Sequence, residues 1–249
     1  MYKLLVSSFY DTLIDDDEAI SLSTMVEIDR IRKNGVLFCV TTEGNYLDVC
    51  DYNKDFDFID YIIACNGAYL YDVLNKKVIF KKNIMPSMIK KIWKNYSKYD
   101  VYFYTGIDKV LIKKNFLFDE FYNENKTDIY KIDISFTDKK LRDSVYDEIG
   151  ELELKVSCNK YDKNKKYIIE ITALNINKLS SIEFICRRKK ISLMEVVSIG
   201  QKESDICMLN DVGMSCCVAN ANNDVKKVAK MKSSSNVCKG VEKVIKKFF

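Results

Sequence analysis

The sequence predicts an α/β fold in which a core built around a parallel sheet is interrupted by an inserted α+β domain. Short, continuously apolar segments alternate with helical segments in the first third of the chain, and this pattern returns in the last third. In the middle, strand-like segments alternate apolar with polar residues, which is typical of an antiparallel sheet with one solvent-facing side. We therefore predict a discontinuous core domain at residues 1–80 and 175–249, and an inserted domain at residues 81–174.

The core is predicted from strands that are short and apolar enough to be buried on both faces. The first helix, at residues 21–33, keeps its apolar residues on one face and stops before Gly35. The predicted core strands lie at residues 3–7, 36–41, 61–65, 195–199 and 215–219. The other predicted core helices lie at residues 178–188, 205–209, 224–230 and 237–249.

The inserted domain mixes helical and strand periodicities. Its predicted helices lie at residues 85–96 and 138–149. Its predicted strands lie at residues 101–104, 109–113, 130–136, 153–157 and 166–171. Residues 131–136 alternate polar and apolar side chains strictly, so one side of this strand is predicted to face solvent.

Composition narrows the class of protein. The net charge of the 249-residue chain is +4 and its lysines are spread along the chain, so no nucleic-acid or membrane partner is expected. The first residues have no long apolar core and no stretch reaches about 18 apolar residues, so we expect neither a signal peptide nor a membrane-spanning helix. The nine cysteines form no C-x-x-C pair and histidine is absent, which excludes a mixed Cys/His zinc site. Most of these cysteines lie in apolar runs, so we expect buried, reduced thiols in a cytoplasmic protein.

Polar residues follow each predicted core strand at its carboxyl end, where open α/β sheets form their sites. The first three of these segments are residues 8–13, 41–44 and 66–68. Later in the chain, Asn177 and Lys178 open a helix, and the strand at 195–199 leads into the run Gly200-Gln201-Lys202-Glu203-Ser204-Asp205.

Taken in order, these segments resemble the haloacid dehalogenase (HAD) superfamily, in its Cof-type phosphatase branch. Residues 200–209 resemble the G-D-G-x-N-D-x-x-M-L of that family, and residues 217–222 resemble its V-A-M-G-N-A-x. Asn66-Gly67-Ala68 matches its N-G-A, and Gly240-Val241 resembles the G-V of its last helix. Several weak motifs in the right order make a specific signal. The resemblance covers nearly the whole chain and implies a HAD-like Rossmannoid core with an inserted C2-type cap.

The first loop departs from the family. There it reads D-x-D-G-T, where the first Asp is the nucleophile and the second is the acid/base. Aligned through Thr12, this chain has Ser8 at the nucleophile position and Tyr10 at the acid/base position. If one residue is instead deleted, Asp11 takes the acid/base position, but Phe9 then falls at the nucleophile position. Neither alignment restores both carboxylates.

The other motifs are partly kept. The resemblance assigns phosphate binding to Thr42 and Lys178, and it puts Asn66, Gly67 and Asn220 on the substrate side. The family's Mg²⁺ site falls on Gln201, Ser204 and Asp205, of which only Asp205 is a carboxylate. Because Mg²⁺ prefers charged oxygen ligands, we expect weak Mg²⁺ binding or none.

The resemblance implies a phosphatase of small phosphate esters such as sugar phosphates, but the substitutions predict impaired or absent catalysis. Serine is a poor nucleophile without a neighbouring base, and the chain has no histidine. One hypothesis is a pseudophosphatase that keeps a phosphate site for a small phosphorylated metabolite. A second is an active Mg²⁺-dependent phosphatase that recruits Asp11. A third is a purely structural or interaction module.

Overall fold

The computed structural model describes residues 1–14, 19–53, 57–151, 156–163 and 166–249. They divide into two compact units, Met1–Phe80 with Asn177–Phe249, and Lys81–Ile176. The strands are β1 (Leu4–Ser8), β2 (Leu37–Thr41), β3 (Tyr61–Ala64), β4 (Tyr69–Asp72), β5 (Lys77–Lys81), β6 (Asp100–Tyr104), β7 (Lys109–Ile112), β8 (Lys131–Phe136), β9 (Val156–Lys163), β10 (Lys166–Ala173), β11 (Val196–Gly200), β12 (Met214–Cys217) and β13 (Met231–Lys232). The helices are α1 (Leu22–Lys33), α2 (Tyr46–Asn53), α3 (Pro86–Tyr96), α4 (Asn115–Asn125), α5 (Lys139–Glu151), α6 (Lys178–Lys189), α7 (Ile206–Asn210), α8 (Asn223–Val228) and α9 (Gly240–Phe248).

The sheet of the first unit is parallel at its centre. Among the described residues it has eight strands in the order β13-β12-β11-β1-β2-β3-β4-β5. The strands from β13 to β3 run parallel, and β4 turns back antiparallel to β3. β1 is buried along its whole length because β2 and β11 flank it and its residues are apolar or small. The predicted α/β fold with a parallel core sheet is confirmed.

The second unit contains a sheet that is antiparallel throughout. Its five strands, counted over the described part of the chain, have the order β7-β6-β8-β10-β9. Each unit has its own hydrophobic cluster. One is built on residues such as Leu5, Phe38 and Ile199, and the other on Trp93, Phe103 and residues around them. Burial of these apolar side chains is the main favourable term in the stability of each unit.

The prediction of a solvent-facing side for residues 131–136 is wrong. Lys131 and Asp133 of β8 are buried, and so is Glu170 opposite on β10. These charged side chains face one another across the strands: Lys131 Nζ lies 2.8 Å from Glu170 Oε1 and 3.1 Å from Asp133 Oδ1. The alternating pattern therefore marked an internal ion-pair cluster, because buried charges are tolerated when they are paired.

Some elements were not predicted, and some boundaries differ. The structure adds α2, α4, β4, β5 and β13. The last helix begins at Gly240 rather than at residue 237. The strand predicted at 153–157 partly lies outside the described residues, and the described strand there is Val156–Lys163. Over the residues that the structure describes, no helix is both long enough and apolar enough to cross a membrane.

The cysteines all lie in the described part of the chain, and all nine are free thiols. Five of them are buried: Cys39, Cys65, Cys186, Cys216 and Cys217. Three more are partly buried, and Cys238 is exposed.

Candidate active site

The candidate site lies at the edge of the core sheet where neighbouring parallel strands end. β1 pairs in parallel with β2 on one side and with β11 on the other, so their carboxyl ends lie side by side. The segments that follow these strands bring Ser8, Glu43 and Asp205 into one hydrogen-bonded cluster with Lys178. These residues are far apart in the sequence, and the parallel order of the strands together with the start of α6 brings them into contact.

Asp205 is the centre of this cluster and is fully buried. Its Oδ1 accepts hydrogen bonds from the Ser8 hydroxyl at 3.1 Å and from the Lys178 ammonium at 2.7 Å. Its Oδ2 accepts the main-chain N–H groups of Gln201 at 2.8 Å and of Lys202 at 3.0 Å. A carboxylate offers about four acceptor positions, so these bonds from described residues use all of them.

Gly200 permits this close packing at the end of β11. A Cβ added to Gly200 would lie 2.6 Å from the Cβ of Asp205, closer than real Cβ contacts allow. The absence of a side chain at position 200 therefore lets the turn fold Asp205 back against the strand that precedes it.

Lys178 is placed by the first turn of α6, and its side chain is fully buried. Asn177 caps this helix, because its side-chain oxygen accepts the N–H of Ser180 at 3.0 Å. The ammonium donates to Glu43 Oε1 at 2.6 Å, to Asp205 Oδ1 at 2.7 Å and to Ser204 Oγ at 3.2 Å. An ammonium has three donors, so each of them has an acceptor among the described residues.

The charge state of Lys178 follows from these neighbours. Burial alone lowers the pKa of its ammonium, but the carboxylates of Asp205 and Glu43 outweigh burial and raise that pKa above its usual value. Lys178 is therefore a fixed cation that its own chain has already neutralised.

Glu43 follows Thr42 after β2 and completes the cluster. Its Oε1 accepts from Lys178 and from the Ser204 hydroxyl at 2.9 Å, and its Oε2 lies 3.6 Å from Lys202 Nζ. Burial alone raises the pKa of the Glu43 carboxyl, but Lys178 and Lys202 outweigh it and hold that pKa well below its usual range. Glu43 is therefore ionised at neutral pH.

Lys202 links the first loop to this cluster. Its Nζ lies 3.1 Å from Asp11 Oδ2 as well as 3.6 Å from Glu43 Oε2. Burial alone lowers the pKa of Lys202, but Glu43 and Asp11 raise it above its usual value. Asp11 has a left-handed backbone with φ of 59°, and its carbonyl accepts the Asn220 side-chain N–H at 3.0 Å. Asp11 is thus held in an ion pair at the rim of the cluster.

Tyr10 contributes to packing. Its ring lies edge-on to the ring of Phe9, with 5.0 Å between centroids, and packs against the hydrophobic cluster of the first unit. Its predicted place at the acid/base position stays a prediction.

Thr42, Asn66 and Gly67 lie in the loops that follow β2 and β3. Thr42 Oγ1 accepts the N–H of Gly44 at 3.0 Å, and the carbonyl of Thr42 accepts the N–H of Asn66 at 3.3 Å. Gly67 has a φ of +99°, and a Cβ there would lie 2.0 Å from the carbonyl oxygen of Asn177. This loop therefore packs directly against the start of α6, and the predicted contacts of these residues with phosphate or substrate stay predictions.

Gln201 and Asn220 form a separate contact beside the cluster. The Gln201 Nε2 group donates to the carbonyl of Asn220 at 3.4 Å, while the side-chain oxygen of Asn220 accepts the N–H of Asn236 at 3.2 Å. Gln201 Oε1 is buried and has no hydrogen-bond partner among the described residues. The side chain of Gln201 thus meets Asn220, whereas its main-chain N–H meets Asp205.

The residues at the magnesium position do not fit the ion. A hard divalent cation needs several anionic or strongly polar oxygens, and Mg²⁺ demands near-octahedral geometry. The one carboxylate at that position, Asp205, already accepts bonds on both oxygens, and a buried ammonium lies 2.7 Å from one of them. Within the described ranges no group of three or more acidic or cysteine side chains is arranged to hold a metal.

Sequence reasoning missed the parts that Glu43 and Lys202 play. Glu43 directly follows Thr42 and was assigned no role, and Lys202 occupies a place that is glycine in the family. A pair of opposite charges could have indicated their roles. An acidic residue and a basic residue both appear at positions where the family motifs have neither. Such a pair predicts an ion pair when the two strands that carry them end at the same edge.

The parallel core sheet, the inserted antiparallel sheet and the polar cluster at the strand ends define an α/β protein with its candidate site at the carboxyl edge of the core sheet. The chain belongs to the haloacid dehalogenase-like hydrolase family, whose model matches residues 8–245. The predicted resemblance to the HAD superfamily is therefore confirmed.

Relatives of known activity are similar along the whole chain. One is the 5-amino-6-(5-phospho-D-ribitylamino)uracil phosphatase YcsE of Bacillus subtilis, 24% identical over 98% of this chain and 94% of that protein. Another is a phosphoglycolate phosphatase of Methanobrevibacter smithii, 27% identical over 95% of this chain and 94% of its own. A solved haloacid dehalogenase-like hydrolase of B. subtilis shares the fold with a TM-score of 0.85 and 17% identity, covering 99% of this chain and 100% of its own. The chain is thus a homologue of phosphatases.

Proposed function

We propose that this chain is a pseudophosphatase, a member of the phosphatase family that does not hydrolyse phosphate esters by the family mechanism. The observation that carries the proposal is the saturation of Asp205, the one carboxylate kept at the metal position. Lys178 and the main-chain N–H groups after β11 occupy its oxygens, and these bonds would have to break before the carboxylate could hold a metal.

The nucleophile position supports the same proposal. The Ser8 hydroxyl donates a hydrogen bond to Asp205 Oδ1, but that oxygen also accepts a hydrogen bond from the Lys178 ammonium. A serine attacks phosphorus only when a neighbouring base takes its proton, and an oxygen held by a cation is badly placed to do so. Each missing role in the chemistry is worth a factor of about 10² or more in rate.

Two other functions from the sequence remain as alternatives. An active phosphatase would use Asp11 as acid/base, and the ion pair of Asp11 with Lys202 would then have to open. A structural or interaction module would bind no phosphate at all. The site favours the pseudophosphatase over the module, because a fully buried lysine and a fully buried aspartate are kept at the positions of the family motifs.

Turnover measurements test the proposal. Purified wild-type protein is assayed with Mg²⁺ and a panel of sugar phosphates and other small phosphate esters. We expect phosphate release no faster than in the blank, and no change in Asp11→Asn. The matched control is Asp224→Asn, which removes an exposed carboxylate paired with Lys227 at the surface. Turnover in wild type and Asp224→Asn that disappears in Asp11→Asn would establish the active-phosphatase alternative instead.

The proposal extends to the cellular location of the protein and to the molecule that it binds. We infer a cytoplasmic location, supported by the free thiols, which persist in reducing compartments. The partner that we propose is a small phosphorylated metabolite, in line with the phosphate esters named for the relatives. Fractionation of cells that express the protein at native level checks the location.

A further inference from the structure

We propose that the Glu43 carboxylate is an internal ligand, held in an anion-binding site that would otherwise take a phosphate group. The site is formed by Lys178, Ser204 and Lys202. This inference rests on the proposed function, because it explains how a kept phosphate site behaves in a chain that does not turn over.

The first support is the geometry around the carboxylate. Glu43 Oε1 accepts the Lys178 ammonium at 2.6 Å and the Ser204 hydroxyl at 2.9 Å. Distances of this length are typical of charge-assisted hydrogen bonds to carboxylate or phosphate oxygens. The donors therefore hold the oxygen of Glu43 as they would hold an oxygen of a bound oxyanion.

The second support is the burial of the cation. The Lys178 side chain is fully buried, so its charge is shielded little by solvent and must have an anionic partner. Asp205 supplies one such partner, and Glu43 supplies the other. The N–H groups of Lys178 already donate to Glu43 and Asp205, and the negative charges of these carboxylates would repel an external anion that approached Lys178.

The third support is Lys202, which is not part of any phosphate motif that the family resemblance assigns. Its Nζ lies within reach of Glu43 Oε2 and of Asp11 Oδ2. It therefore places a second positive charge on the far side of the Glu43 carboxylate. Two lysines and a hydroxyl around one carboxylate make a site for an oxyanion with several acceptor oxygens.

The consequence is a competition between Glu43 and phosphate. While Glu43 is bound in the site, the carboxylates of Asp11, Glu43 and Asp205 surround two ammonium groups. Their excess negative charge repels a further anion. When the charge of Glu43 is removed, one Lys178 donor, the Ser204 hydroxyl and one side of Lys202 become available. We therefore expect wild type to bind phosphate weakly, and a variant without the Glu43 carboxylate to bind phosphate more tightly.

Isothermal titration with inorganic phosphate tests the inference on the full-length chain. We expect Glu43→Gln to bind phosphate at least about tenfold more tightly than wild type, since a like charge within hydrogen-bonding range has gone. The matched control is Glu203→Gln, which removes the same charge from an exposed position in the adjoining turn. It should bind as wild type does. Circular dichroism checks that each variant is folded. Glu43→Asp keeps the negative charge and should bind phosphate as weakly as wild type does.

A second variant assigns the gain to the proposed site. Adding Lys202→Met to Glu43→Gln should cancel most of the gain, because the second positive charge is lost. If Glu43→Gln binds phosphate no more tightly than Glu203→Gln, the inference is wrong. If it binds more tightly but Lys202→Met has no effect, Lys202 is not part of the site and the inference fails in that form.

The outcome is separable from that of the proposed function. Phosphate release is measured on the same variants with Mg²⁺ and a sugar phosphate. Tighter binding without turnover supports both ideas, whereas tighter binding with turnover supports the internal ligand and overturns the pseudophosphatase. No gain in binding and no turnover overturns the internal ligand alone.

Discussion

At the scale of single residues, Asp205 has a structural role. It is fully buried, and each of its oxygens accepts two hydrogen bonds from described residues. Two of these bonds come from the main chain of the turn that follows β11, so the carboxylate fixes the shape of that turn. The third and fourth tie the turn to β1 and to α6 through Ser8 and Lys178.

Asp205→Asn is expected to destabilise the protein by about 3 kcal/mol, the lower end of the cost of breaking a buried ion pair, because Glu43 remains beside Lys178. The asparagine side chain would also place an NH₂ group opposite the Lys178 ammonium or the main-chain N–H groups of the turn. Two donors would then face each other without an acceptor. Urea unfolding followed by circular dichroism measures the change. The control is Asp211→Asn, an exposed acid just after α7, which should change stability by less than about 0.5 kcal/mol. Equal stability of the two variants would contradict the structural role of Asp205.

The residues of the site were predictable only in part. The order of motifs was enough to single out Ser8, Lys178 and Asp205, because strand ends in a parallel sheet meet at one edge. The contacts of the Glu43 carboxylate depend on the rotamer of one flexible side chain, which motif spacing in the sequence does not determine. The same holds for Lys202, whose partners lie 191 and 159 positions earlier in the chain.

At the scale of elements, α9 is joined to α1 by a polar contact at its first turn. The Ser23 hydroxyl donates to Glu242 Oε2 at 2.6 Å, and Lys246 donates to Glu242 Oε1 at 2.6 Å. The bonds from Lys246 and Ser23 lower the pKa of the Glu242 carboxyl. A carboxyl whose pKa is lower in the folded state stabilises the fold above its unfolded pKa of about 4.3, and this contribution is lost as pH falls through the folded pKa.

Glu242→Gln is expected to be about 1 kcal/mol less stable than wild type at neutral pH, since it weakens charge-assisted bonds that solvent partly screens. The difference should stay constant down to about pH 4.3 and shrink below it, because the wild-type carboxyl then takes up a proton. Urea unfolding at a series of pH values measures both. Asp29→Asn, which removes an exposed pair with Lys33 on α1, is the control and should change stability by less than about 0.5 kcal/mol. A difference that grows as pH falls would contradict the assignment.

The elements that the sequence predicted are those whose burial is visible in composition. β1, β2 and β11 are apolar or small along their length because both faces of a central parallel strand are covered. Helix α4 was missed for the opposite reason. Phe116 and Leu117 are exposed whereas Phe118 and Tyr122 are buried, so its apolar residues do not lie on one face. Its many aromatic and Asn residues are also weak helix formers.

At the scale of the whole molecule, the chain consists of two units with separate hydrophobic clusters and separate buried ion pairs. The first unit holds the Asp205 cluster, and the second holds Lys131 with Asp133 and Glu170. The Tyr104 hydroxyl adds a bond of 2.6 Å to Asp133, and the Lys131 ammonium lies 4.2 Å from the centre of the Tyr104 ring. Because each unit has its own core, each can lose its structure in a step of its own.

We therefore expect calorimetry to resolve two unfolding transitions that respond to different substitutions. Lys131→Met removes the cation paired with two buried carboxylates, which costs about 3 kcal/mol or more and should lower one transition by about 12 °C or more. Asp205→Asn should lower the other transition and leave the first in place. Lys140→Met, an exposed lysine of the same unit as Lys131, is the matched control and should shift neither. If Lys131→Met and Asp205→Asn lower one common transition together, the two units unfold as a single cooperative body and their separate cores do not confer separate stability.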